Sequence, residues 1–202
     1  MRKTLAWVLV LFTISGCATA KLPAGPDIYG LNKYSDVGAV AVSKVVDERG
    51  TISAGTIGAT GVRVKNDVVP LTTNYLLSMM NTNLNLNVIP VGSLSSASAG
   101  EVLGQSDAGG GILLKIKSLK LHSVDAMMQP VEVDMDVDVA VFERGGKVVV
   151  EKSVSGHYEK RIGLSIVDKS TGELVDQVVR ETIANVIKDS DIKLALETAA
   201  GK

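Results

Sequence analysis

The chain has 202 residues but one cysteine, one tryptophan, two phenylalanines and two histidines. A single cysteine excludes an internal disulfide and a cysteine-built zinc cluster. Aromatics make up 3% of the chain, which leaves no platform on which bases or sugar rings would stack. Basic and acidic residues nearly balance, for a net charge of −1. The basic excess of a nucleic-acid binder is absent, and no nucleic-acid partner is expected. No apolar run reaches the ~20 residues that span a bilayer. His122 and His157 lack metal-ligand spacing, and no Gly-x-Ser-x-Gly motif supplies a nucleophile. Gly55-Thr56-Ile57-Gly58-Ala59-Thr60-Gly61 lacks the Gly-Lys-Ser/Thr ending of a phosphate loop and reads as a glycine-rich turn entering a short strand. The expectation is therefore no catalytic residue, no metal and no cofactor, with a core built from Val, Leu, Ile, Ala and Met.

What is present is concentrated at the amino end. Arg2 and Lys3 precede an apolar stretch from Leu5 to Ile14, then Ser15-Gly16-Cys17. That is a charged n-region, a short h-region and a small-residue cleavage site. The segment Ile14-Ser15-Gly16-Cys17 resembles the bacterial lipobox. The resemblance implies a diacylglyceryl thioether on Cys17, cleavage before it and acylation of the new amino group; the alternative is a plain signal peptide with an incidental cysteine. One acyl chain anchors marginally and two or more anchor stably, so the membrane is the first expected partner. By resemblance to enterobacterial sorting, Ala18 after the cysteine favours the outer membrane, periplasmic face. Loss of residues 1–16 removes Arg2 and Lys3 and no acid, taking the net charge from −1 to −3. Residues 17–35 contain Pro23, Gly25, Pro26 and Gly30 without apolar periodicity and read as a lipidated tether, whose ~15 flexible residues would reach ~20 Å.

Residues 36–202 read as one domain. Val37 to Asp47 predicts a valine-rich strand, and Ile57 to Val64 a possible short one. Val68, Leu71, Tyr75, Leu76, Met79 and Met80 recur at helical spacing, with Asn66 as N-cap. Leu86 to Val91 reads as a strand, and 98–106 as a short helix. Three long strands follow at 112–124, 131–143 and 147–160. Ser170 and Glu173 offer a capping box to a final helix with the stripe Leu174, Val175, Val178, Val179, Ile183, Val186, Ile187, and a second short helix covers 191–199. The predicted class is α+β: a mixed, mainly antiparallel sheet with a long C-terminal hairpin and helices packed on one face.

The hairpin can be tested by register. Val131, Val133, Met135, Val137, Val139 and Val141 alternate with Glu132, Asp134, Asp136, Asp138 and Ala140, so one face is buried and one wet. With Gly145-Gly146 as a tight turn, Val141 faces Val150, Val137 faces Val154 and Val133 faces Tyr158. On the wet face Asp138 meets Ser153, Asp136 meets Ser155 and Asp134 meets His157; Lys152 opposite Val139 is the one misfit. A one-residue slip would set acids against valines. The acids invite a calcium reading, but alternate strand residues stand ~6.6–6.8 Å apart and do not converge. Lys115, Lys117 and Lys120 are placed to neutralise them in part. Asp134 with His157 could be a base and its orienter, though without a nucleophile. Asp47-Glu48-Arg49 reads as a solvated strand end with an internal salt bridge, and Met127-Met128 as a loop packed on the core or a soft contact surface.

The lipobox, Val40-Ala-Val-Ser-Lys-Val-Val-Asp47-Glu48-Arg49, Ile57-Gly58, Ile116-Lys-Ser-Leu119, Gly156-His157-Tyr158 and Leu174-Val175 together resemble the YajG-like family of bacterial lipoproteins. The order of elements is similar to periplasmic lipoproteins whose fold is like the N-terminal domain of TolB. The lipobox, the short tether and the empty list of catalytic groups set the expectation: a lipid-anchored, non-enzymatic protein that binds another envelope component, a protein or the cell wall. Its alternative is an auxiliary subunit of an export or lipid-transport system, which requires an apolar groove between sheet and helix.

Overall fold

The computed structural model describes residues 18–19, 22–23, 25–26, 38–50, 53–57, 60–64, 67–123, 130–161 and 167–201. In chain order the elements are β1 (Ala18–Thr19), β2 (Ala39–Ser43), β3 (Val46–Asp47), β4 (Ser53–Ile57), β5 (Thr60–Arg63), α1 (Val68–Leu84), β6 (Asn87–Val91), α2 (Ala99–Gly104), β7 (Gly110–Ser123), β8 (Val131–Glu143), β9 (Val148–Lys160), α3 (Val167–Lys188) and α4 (Ser190–Ala199).

All strands join one mixed sheet organised around β7. On one side β7 pairs antiparallel with β8, and β8 pairs antiparallel with β9. On the other side three short parallel strands share its length: β2 against Val40–Gly110 to Val42–Ile112, β3 against Lys115 and Ile116, and β4 against Leu121 to Ser123. β6 lies parallel outside β2, and β5 lies antiparallel outside β4. The long ladders are antiparallel, as the short β8–β9 connection requires.

The predicted hairpin register holds pair for pair, from Val133–Tyr158 to Val141–Val150, with Asp134–His157, Asp136–Ser155 and Asp138–Ser153 on the opposite face. The turn is wider than the tight Gly-Gly turn. Glu143 N–H donates to Lys147 O at 3.0 Å and Gly146 N–H to Glu143 O at 2.8 Å. Only Gly146 of the two glycines has positive φ, at 84°. This is a three-residue loop closed by a left-handed glycine, and a register shift between Val141 and Phe142 absorbs the extra residue.

The six alternate apolar residues Val131 to Val141 are fully buried, as are those of the α3 stripe apart from Ile187 at 3%. α3 lies across them, α1 packs beside α3, and α4 closes the turn end. Fully burying one such aliphatic side chain stabilises by about 1.5–3 kcal/mol, so these two stripes dominate the core. Gly156 sits where α3 crosses β9: a Cβ there would overlap Thr182 Oγ1 and lie 2.9 Å from the Thr182 backbone nitrogen.

Four details differ from the sequence expectation. The short helix α2 lies over the other face, in a second cluster with Ala41, Leu113 and Phe142. The reason is in the pattern: Leu113, Ala140 and Phe142 interrupt the alternation, so both faces are apolar at that end. α3 begins at Val167, which puts Ser170 inside the helix rather than at its cap. α1 is preceded by Asp67, which makes no side-chain cap bond, and ends at Asn85 in the left-handed conformation, a common C-terminal stop; Asn66 lies outside the described residues. Last, of the stretch expected to be a tether, Ala18 and Thr19 pair parallel with Val62 and Arg63 of β5. Leu22 packs on the main core cluster. Gly25 lies against Leu71 and Asn74 of α1, where an added Cβ would come within 3.0 Å of Leu71 Cδ1.

Candidate functional site

The wet face of β7, β8 and β9 forms a polar ladder. Because acids occupy alternate positions of the middle strand, each meets a side chain from a neighbour. Asp136 accepts from Ser118 at 2.6 Å and from Ser155 at 2.7 Å. Asp138 accepts from Ser153 at 2.6 Å, and Lys117 stands 3.7 Å away. Asp134 Oδ1 is 2.8 Å from His157 Nδ1, and Glu132 is 2.7 Å from His122 Nε2. Lys115 and Lys117 both reach Glu48, at 3.0 and 2.8 Å. The two serine hydroxyls hold the Asp136 carboxyl below the ordinary carboxylate range, and the bond from Asp134 raises His157 above the ordinary histidine value.

Two groupings considered from sequence can be placed on the ladder. His157 and Asp134 do meet, but Ser155, the nearest hydroxyl on that strand face, donates to Asp136 instead. The pair is an imidazole–carboxylate contact, with no hydroxyl bonded to the imidazole among the described residues. Each acid is also committed to its own partner, and no three of His, Cys, Asp and Glu converge as a metal-ligand group among the described residues.

Asp47 and Arg49 form the internal salt bridge expected, with Nη2 at 2.7 Å from Oδ2. It is not a solvated one on the cation's side: the Arg49 side chain is 5% exposed and also donates to Val64 O at 3.5 Å. The guanidinium lowers the Asp47 pKa. Lys152, the misfit of the hairpin, reaches Asp189 and Asp191 at 2.8 Å each. Its stem covers the core face while its head leaves for the α3–α4 junction. Between α1 and α3, Tyr75 donates to Asp176 at 2.9 Å; burial and that carboxylate push the phenol up to about 12.

The second feature is a groove of about 680 Å³ between α4 and the turn end of the β8–β9 hairpin. Val150, Ala195, Ala199 and Gly109 line it, with Glu143, Arg144 and Asp191 also at its walls. Leu194 at 65% and Val149 at 43% are the exposed large hydrophobics among the described residues, and both line this groove. A sequence signal for the exposure of Leu194 existed. Ile192 and Leu196 of α4 face the core, and Leu194 falls about 200° around the helix from Ile192, off that stripe. Reading 191–199 simply as a short helix passed over it.

The described parts of the glycine-rich stretch form an antiparallel pair, β4 with β5. Cys17 and the lipobox, and Met127 with Met128, lie outside the described residues. No helix among the described residues is long and apolar enough to cross a membrane.

No family model matches the chain, and no curated protein does. Solved structures resemble it at low identity. Lipoprotein GNA1162 from Neisseria meningitidis is 12% identical, with a TM-score of 0.44 over 73% of this chain and 99% of its own. Protein XCC0632 from Xanthomonas campestris is 8% identical, with a TM-score of 0.43 over 91% and 94%. A minor lipoprotein from Acinetobacter baumannii is 9% identical, with a TM-score of 0.44 over 76% and 92%.

Proposed function

We propose that this is a lipid-anchored, non-enzymatic lipoprotein of the YajG-like kind, held at the periplasmic face of the outer membrane, that binds another component of the envelope. The observation that carries the reading is Ile14-Ser15-Gly16-Cys17, set directly after a charged n-region and a short apolar stretch. It is supported by the polar ladder, whose acids and hydroxyls bond to one another rather than assembling a base and a nucleophile. The test is metabolic labelling with radioactive palmitate. The parent chain takes up label and fractionates with the outer membrane; Cys17→Ser takes up none and fails to mature. A Cys17→Ser variant that matures and fractionates like the parent ends the reading. Crosslinking in cells from Asp136 and Asp138, followed by mass spectrometry, identifies what meets the polar face.

A second reading, an auxiliary subunit of an export or lipid-transport system, is favoured by one observation: the apolar groove under α4, which that reading requires. Native mass spectrometry of the purified protein distinguishes the two. Co-purified lipid lost in Leu194→Glu supports the second reading, and a lipid-free parent removes it.

A further inference from the structure

The two ends of the sheet differ, and β1 shows which of them lies next to the cysteine. β1 begins at Ala18, the residue after Cys17, and runs parallel to β5 with Ala18 opposite Val62. β5 is antiparallel to β4, with Gly61 opposite Thr56, and β4 is parallel to β7, with Thr56 opposite His122. Followed back toward the cysteine, the chain therefore leaves β1 toward the end of β7 that carries His122. The hairpin turn is at the other end, where Gly110 pairs with Glu143. The groove lined by Leu194 and Val149 is there too. A strand of 14 residues at ~3.3–3.4 Å each separates the two ends by about 40 Å, allowing for twist.

We propose that the sheet edge at Ala18, the residue that follows the acylated cysteine in sequence, ties the domain to its lipid, so that the domain stands upright on the bilayer, with the His122 end of β7 against the lipid and the α4 groove pointing away from it. This rests on the lipid-anchor reading above. The partner for the lower end is the lipid surface itself, because no slack separates the acyl chains from the fold. Ala18 and Thr19 are in the sheet, Leu22 is on the core and Gly25 is on α1. A free tether would let the body rotate about one flexible point, whereas a chain fixed at three places within eight residues of the lipid transmits one orientation. Among the described residues, the exposed groups nearest the bilayer are then His122, Glu159, Lys160 and Arg161, with half-buried Glu132 beside His122. The exposed apolar pair is carried about 40 Å out, where it meets partners other than the leaflet that holds the anchor.

The test uses the full, acylated chain in phosphatidylethanolamine–phosphatidylglycerol vesicles. Acylation consumes the only native thiol, so Glu159→Cys and Leu194→Cys each provide one labelling site for a bimane fluorophore. A lipid with a nitroxide on its headgroup is the quencher. Quenching several-fold stronger at position 159 than at 194 is the expected result. Equal quenching, with acyl mass confirmed on the N-terminal peptide, overturns the fixed orientation and leaves the anchor standing; reversed quenching overturns it as inverted. A chain that carries no acyl mass and does not float with the vesicles overturns the anchor reading and the orientation together.

Discussion

At the scale of single residues, the approach of α3 to β9 is set by what Gly156 lacks. α3 passes over β9 with the backbone of Thr182 against that glycine, so Gly156→Ala forces helix and strand apart. Overpacking of this kind costs about 1–3 kcal/mol, and thermal unfolding followed by circular dichroism should show it as a lowered midpoint with the spectrum retained. Thr182→Ala should not restore the loss in full, because the backbone nitrogen and Cα of residue 182 would still stand 2.9 and 3.0 Å from the added Cβ. His157 makes the second prediction. Its bond to Asp134 raises its pKa, so the pair stabilises the fold fully below the ordinary histidine value of ~6.5 and loses that contribution as pH rises through the raised one. The pair is half exposed, so the effect on stability is small, but a proton NMR titration of the imidazole reads it directly. Asp134→Asn should return His157 toward the ordinary value; an unmoved titration would dispose of the pairing.

Among secondary elements, α4 depends on one junction. Asp189 precedes it and accepts from the backbone N–H groups of Asp191 and Ile192, while Lys152 holds the same carboxylate from β9. Asp189→Ala should cost about 1 kcal/mol for the cap and raise amide hydrogen exchange along α4 more than along α3. The Lys152 bonds lower the Asp189 pKa, so this contribution is present above the ordinary carboxylate value and disappears as pH falls through the lowered one. The sequence was legible here to an uneven degree. β8, β9 and the α3 stripe were readable because strict two-residue and helical periods leave one arrangement that buries the valines. α2 was legible as a helix but not as to its face, since that required seeing Ile112-Leu113-Leu114 and Ala140 with Phe142 as apolar on both sides. The start of α3 was misjudged because a capping-box pattern at Ser170 and Glu173 is also compatible with a helix already under way. The groove was missed because the role of Leu194 depends on where the hairpin turn lies in space, which no local pattern contains.

For the whole molecule, the question is where the folded body begins. Proline and glycine in 17–35 led to a tether by composition, yet the contacts of Ala18 and Gly25 are non-local: Val62 is 44 positions from Ala18, and Leu71 is 46 from Gly25. Local composition carries no information about such pairings, and two strand residues are too few to show a period. The consequence is measurable on soluble forms without the lipid, one starting at Ala18 and one at Asp36. Starting at Asp36 removes the partner of β5 and the packing of Leu22 on the core. A fully buried leucine contributes about 1.5–3 kcal/mol; Leu22 is partly buried, so it and the short ladder together should be worth about 1–2 kcal/mol. In a domain of this size each kcal/mol moves the midpoint by about 2–4 °C. The shorter form should therefore melt several degrees lower, with Leu22→Ala in the longer form reproducing part of the difference. Equal midpoints would mean that residues 18–26 add nothing to the fold, that the stretch after Cys17 behaves as a leash, and that the body has no preferred attitude on the membrane.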